Sequence, residues 1–133
     1  MERVLLIDDD RAIRRMYADC LRAEAFEVTE EDSAENGLEH LLKGEKFDLS
    51  ITDIMMAKMD GWELLDTIRK KLNLSDVVLP VIVVSAFDSA ELEAKAFHRG
   101  ANGCLTKPIL PLARLISMAK IQTGRMRSRY NEP

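Results

Sequence analysis

The sequence predicts a doubly wound α/β domain, a five-stranded parallel sheet with helices on both faces. Short β-type runs alternate with helical patterns five times along the chain, which is how helices come to cover both sides of a parallel sheet. The 133 residues, 47% hydrophobic and 32% charged, have the size and make-up of one ordinary globular core. Polar residues gather just after the β-type runs, the end at which open α/β sheets bind ligands.

Val4 to Ile7 is the first strand. From Asp10 onward Ile13, Met16, Tyr17, Cys20 and Leu21 follow the i, i+3, i+4, i+7, i+8 template of a helix with one buried stripe. Phe26 to Thr29 alternates as the second strand. Ser33 is placed to cap a second helix with Ala34, Leu38, Leu41 and Leu42 on its inner face, ending near Gly44 and weakened by Gly37. Phe47, Leu49 and Ile51 alternate with Asp48, Ser50 and Thr52 in a third strand that finishes at Asp53, with a second face unusually polar for a central strand.

Asp60 and Glu63 have capping-box spacing before a third helix that buries Leu64, Leu65, Ile68 and Leu72. Val81 to Val84 is the fourth strand. Asp88 and Glu91 repeat the capping spacing ahead of Leu92, Ala96 and Phe97, and Gly100 stands where a helix C-terminal glycine belongs. A short fifth strand surrounds Cys104 and Leu105. Pro111 then opens a last helix with Leu112, Leu115, Ile116 and Ala119 inward. The expected domain is 1–122, with 123–133 a polar tail or linker whose Arg125, Arg127 and Arg129 read as a solvated helix end favoured by the helix dipole.

Nineteen Lys and Arg against 23 Asp and Glu give a net charge of −4, which argues against a broad nucleic-acid surface. The longest apolar run, Val77 to Val84, is broken by Pro80 and is far shorter than the ~20 residues of a membrane span. Only Val4 to Ile7 is continuously apolar before the first aspartates, so no secretory signal is expected and the chain is placed in the cytoplasm. Cys20 and Cys104 lack CxxC pairing and read as reduced core thiols. His40 and His98 read as ordinary helix residues.

The chemistry is concentrated at the strand ends. Strand one runs into Asp8, Asp9 and Asp10, strand three ends in Asp53, strand four in Ser85, and strand five is followed by Lys107 and Pro108. Carboxylates sharing a crevice repel unless a cation joins them. An all-oxygen set without His or Cys favours Mg²⁺ over Zn²⁺. Lys107 supplies a second positive charge and Ser85 a hydroxyl, both suited to phosphoryl oxygens. Neither GxGxxG nor GxxxxGK[ST] is present, so the backbone cradles for dinucleotides and nucleoside triphosphates are missing.

These residues carry a resemblance over nearly the whole chain. VLLIDDD, DLSITDIMMAKMDGWELL, VIVVSA and GANGCLTKP, in that order, resemble the receiver domain of two-component response regulators, including the single-domain chemotaxis type. The resemblance implies a flavodoxin-like sheet of order 2-1-3-4-5. It implies that Asp53 accepts phosphate from a sensor histidine kinase or a histidine phosphotransfer protein. It further implies that Asp8, Asp9, Asp53 and the Met55 carbonyl hold Mg²⁺, that Ser85 is the switch hydroxyl and that Lys107 contacts the phosphoryl group. Asp10 falls at a variable position and is not counted as a ligand. The output surface would be the face of the fourth helix, fifth strand and fifth helix, and the chain would be a phosphoprotein rather than an enzyme.

The chain departs from the family pattern in three places. Cys104 stands where many receivers carry Tyr or Phe, Ala57 and Lys58 replace a frequent Pro-Gly, and Met55 and Phe87 are apolar where many relatives are polar. The last departure predicts a long-lived phosphoryl group, and the LTKP match predicts a cis Lys107-Pro108 bond. Two other functions compete with this reading, a phosphorylation-independent adaptor of the same fold and a Mg²⁺-dependent aspartyl phosphohydrolase. The latter lacks a second acid/base aspartate shortly after Asp53.

Overall fold

The computed structural model describes residues 1–126. Its elements run β1 (Arg3–Ile7), α1 (Arg11–Ala23), β2 (Glu27–Glu31), α2 (Ala34–Leu42), β3 (Leu49–Asp53), α3 (Gly61–Asp66), β4 (Val81–Ser85), α4 (Ala90–His98), β5 (Gly103–Thr106) and α5 (Ala113–Gln122). The five strands form one parallel sheet in the order β2-β1-β3-β4-β5, as expected.

Alternation along each strand divides the core into two layers. Val4, Leu6, Ile51, Ile82, Val84 and Leu105 face α1 and α5, meeting Tyr17, Leu21, Leu115 and Ala119. Leu5, Ile7, Val81 and Val83 face the other way, onto Ala34, Leu64, Leu65, Ile68 and Ala96. Each such large side chain contributes about 1.5–3 kcal/mol by leaving water. The polar second face of β3 is fully enclosed. Ser50 donates its hydroxyl to the Leu5 carbonyl at 3.3 Å and Thr52 donates to the Asp53 carbonyl at 3.0 Å, so neither buried hydroxyl lacks a partner.

Several expected helix faces need correction. Met16, Leu42 and Phe97 are exposed, and the small residues Ala18, Gly37 and Ala96 fill the tightest contacts. Gly37 is a requirement of the packing rather than a weakness, because a Cβ there would lie 2.3 Å from Cδ1 of Ile7. The α4 cap is Ser89, whose side chain accepts from Leu92 N, not Asp88. Helix α5 begins at Ala113, after a cis Leu110-Pro111 bond, so Pro111 does not open it. Strands β2 and β3 both start later than predicted, at Glu27 and Leu49.

Helix α3 continues through a π-helical turn, Thr67–Lys71, in which Leu72 N donates to Thr67 O at 2.9 Å. The wider turn keeps Ile68 in the core while Arg69 reaches the carbonyls of Gly100, Leu74 and Leu79 at 2.8–2.9 Å.

His40 is not an ordinary helix residue. Both ring nitrogens meet carboxylates, Nε2 that of Glu31 at the end of β2 and Nδ1 that of Glu45 after α2. Arg125 is docked rather than solvated. Its guanidinium lies 3.8 Å from the Phe26 ring centre, donates to the Glu24 and Ala25 carbonyls, and pairs with Glu2. Arg127 and Arg129 lie outside the described residues. Cys20 and Cys104 are free and half-buried at the core margins, and burial raises both thiols above their ordinary range. Among the described residues no helix is long and apolar enough to cross a membrane.

Candidate functional site

Strand β1 delivers Asp8 to the C-terminal edge of the sheet, where every part of the residue is engaged. Its N–H donates to the Glu31 carbonyl at 3.2 Å and its carbonyl accepts from Arg14 Nη1 at 2.8 Å. Its Oδ1 accepts from Asp10 N at 2.9 Å, and its Oδ2 meets Lys107 Nζ at 2.8 Å. Asp10 turns outward to cap α1, accepting from Ile13 N at 3.1 Å. That occupation agrees with leaving it out of the cluster. Asp9, between them, is exposed.

Asp53, the last residue of β3, is buried and lies 3.3 Å from Lys107 Nζ. One oxygen each from Asp8, Asp9 and Asp53 lie within 4.8 Å of one another. Gly61 N donates to the Ile54 carbonyl at 2.9 Å, folding the β3–α3 loop back on the strand. A Cβ on Gly61 would come within 2.5 Å of the Asp53 carbonyl oxygen, so only glycine allows that close return.

Ser85 closes β4 and is buried. Its Oγ accepts from Phe87 N at 3.0 Å and its carbonyl accepts from Lys107 N at 2.7 Å. The Lys107-Pro108 bond is cis, as expected. Met55 and Phe87 are each 65% exposed, so neither side chain is packed into the core beside the site.

Burial raises the Asp53 carboxyl above the usual carboxylate range. Lys107 opposes the rise, and Asp8 and Asp9 add to it. Burial disfavours the charged Lys107 ammonium, but its bonds to Asp8 and Asp53 outweigh this and hold it above its ordinary range. A cluster that offers carboxylate oxygens only suits a hard divalent cation.

The structure thus brings together Asp8, Asp9, Asp53 and Lys107, sets Ser85 on the neighbouring strand end, and leaves the Met55 side chain exposed. Sequence reasoning missed Arg14 and Glu30 behind Asp8. Nothing in the chain distinguishes Arg14 from Arg15 until the helix is docked. An apolar cavity of ≈ 350 Å³ beside Lys107, lined by Met16, Tyr17 and Leu110 among others, was likewise invisible.

Comparison with known proteins agrees with this geometry. Residues 4–120 match the family model described as the response regulator receiver domain. The response regulator protein FleR of Pseudomonas aeruginosa is 36% identical over 124 residues, 93% of this chain and 25% of the relative. The heme response regulator HssR of Staphylococcus saprophyticus is 33% identical over 108 residues, 81% of this chain and 46% of the relative. The chain therefore spans between a quarter and about half of those relatives. Among solved structures, the Francisella response regulator 1452 receiver domain superposes with a TM-score of 0.83 at 28% identity, covering 94% of this chain and 98% of that one. A CheY-like receiver domain protein from Methanospirillum hungatei JF-1 gives 0.80 at 28% identity, with 94% and 95% covered. The chain belongs to the response regulator receiver family, with its fold and its acidic cluster at the sheet's C-terminal edge.

Proposed function

We propose that residues 1–122 form the phosphoacceptor of a cytoplasmic two-component relay. The carrying observation is the buried Asp53 beside Asp8, Asp9 and Lys107, with carboxylate oxygens within 4.8 Å and the ammonium 3.3 Å from Asp53. The donor is the phosphohistidine of a sensor kinase or phosphotransfer protein. An Asp53 Oδ lone pair attacks phosphorus, the O–P bond forms, and the N–P bond breaks with its electron pair going to the imidazole nitrogen, which is then protonated. Lys107 neutralises charge on the transferring group, and Ser85 donates its hydroxyl to a phosphoryl oxygen. Asp8, Asp9, Asp53 and the Met55 carbonyl would hold Mg²⁺. When bound, Mg²⁺ supplies charge neutralisation and orientation at the phosphoryl oxygens.

Ser85 following the new phosphoryl oxygens biases the α4, β5 and α5 face toward a downstream protein, a population shift without turnover. The test is intact-mass measurement after incubation with a small phosphodonor and Mg²⁺. One phosphoryl group should be added to the wild type and none to Asp53→Asn. Undiminished labelling of that variant overturns the reading, and continuous phosphate release from small phosphoesters would replace it with a hydrolase.

A further inference from the structure

Arg14 joins the site to the edge strand. It sits on α1 with its side chain only 14% exposed, donates through Nη1 to the Asp8 carbonyl at 2.8 Å, and meets Glu30 through Nε at 3.2 Å. Glu30, on β2, is equally enclosed and also receives Arg15 at 3.2 Å and Arg22 at 3.0 Å. Burial works against the Glu30 carboxylate, but those guanidinium groups hold it below the usual carboxylate range. It is therefore a fixed anionic post, and Arg14 is clamped to it.

The carbonyl that Arg14 grips belongs to the peptide linking Asp8 to Asp9. A peptide unit is planar, so fixing its oxygen fixes the direction of the Asp9 N–H and restricts where the exposed Asp9 side chain leaves the backbone. The Asp8 N–H is held from the other side by the Glu31 carbonyl. Two consecutive β2 residues thus brace the acidic pair, one directly and one through Arg14.

We propose that Arg14 is a positioning residue for the cation site: by holding the Asp8–Asp9 peptide against Glu30, it sets the geometry in which the two carboxylates bind Mg²⁺. This rests on the phosphoacceptor reading above. The proposal opposes simple electrostatics. Removing a guanidinium near an acidic pocket should, by charge alone, tighten cation binding. Loss of an outer support typically weakens metal affinity by about 10–100-fold.

The experiment titrates wild type, Arg14→Gln and Arg14→Lys with Mg²⁺ alone, following backbone amide NMR signals of Asp9 and Ile54, with circular dichroism and thermal unfolding to verify folding. Arg14→Gln should bind Mg²⁺ about tenfold more weakly. Arg14→Lys, which keeps the charge but loses the planar fork, should fall between the two. At Mg²⁺ concentrations that saturate each variant, labelling of Asp53 by a small phosphodonor should recover to near the wild-type rate, separating positioning from chemistry. Unchanged or tighter Mg²⁺ binding in folded Arg14→Gln overturns the proposal, as does equal affinity in Arg14→Lys and wild type. If the wild type itself neither binds Mg²⁺ nor labels at Asp53, the phosphoacceptor reading fails instead.

Discussion

Lys107 stands closer to Asp8, at 2.8 Å, than to Asp53, at 3.3 Å. The ammonium is thus shared, its nearer partner being a cluster neighbour and not the acceptor. Asp53 keeps part of the cost of being charged in a buried place, which is why burial prevails over Lys107 in raising its carboxyl.

Asp53→Asn should therefore stabilise the folded domain in Mg²⁺-free buffer at neutral pH. With the folded carboxyl raised above its unfolded value of ~3.9, ionisation favours the unfolded chain, and stability is lost as pH rises from the unfolded toward the folded value. Thermal unfolding should show the variant ahead by a few degrees at pH 7 and level with wild type below about pH 4. An Asn variant less stable at pH 7 would contradict this.

Replacing Lys107 by Gln leaves Asp8 and Asp53 facing each other without their shared cation. Labelling by a small phosphodonor should slow by roughly 100-fold. The variant should also unfold at lower temperature than wild type without Mg²⁺, and added Mg²⁺ should narrow the gap.

His40 gives the opposite pH dependence. A neutral imidazole has one N–H, so two carboxylates on its two nitrogens require the imidazolium. Hydrogen bonds to Glu31 and then Glu45 raise its pKa. A raised histidine contributes stability that is complete below its unfolded value of ~6.5 and disappears as pH rises through the folded value. His40→Gln should cost most stability near pH 6, and the two denaturation midpoints should converge on the alkaline side.

Gly37 and Gly61 should respond differently to alanine. At Gly37 the obstacle is the movable end of Ile7, so Gly37→Ala should cost about 1–3 kcal/mol, with part regained in the Ile7→Val background. At Gly61 the obstacle is the backbone of Asp53 and Ile54, the latter's Cα only 2.8 Å from the added carbon. No side-chain trimming should rescue it, and Asp53 labelling should fall along with stability. Chemical denaturation of the single and double variants separates the two cases.

Apolar residues at 55 and 87 cannot orient an attacking water by hydrogen bonding, whether or not they cover the site. The phosphoryl group on Asp53 should consequently decay faster in the Met55→Asn, Phe87→Glu double variant than in wild type. Timed intact-mass spectra after donor removal measure this, and equal decay would remove the explanation.

Both helix layers and the convergence of Asp8, Asp9, Asp53 and Lys107 were legible because apolar periodicity and strand-end polarity are local signals, whereas the strand order came only from the resemblance to receiver domains. The Met16, Leu42 and Phe97 assignments failed because hydrophobic spacing does not register where a small residue lets a helix approach most closely. Ala18 and Gly37 made the contacts instead. The π turn is equally silent in the sequence, and the Arg69 side chain within it bonds a carbonyl 31 residues away. Arg14 and Glu30 are 16 residues apart on different elements. Their partnership exists only once α1 lies against β2.

The Glu2–Arg125 clasp joins positions 123 apart in the chain, so the residue before β1 and a residue after α5 meet. A peptide linking the segment after Arg125 to the segment before Glu2 would complete a circle. The chain could then be reopened in the loop at 75–78, where Val77 and Val78 are exposed, within the connection between the adjacent strands β3 and β4. With Glu2 and Arg125 meeting at one corner, the described domain is well placed for grafting into the surface loop of an unrelated host.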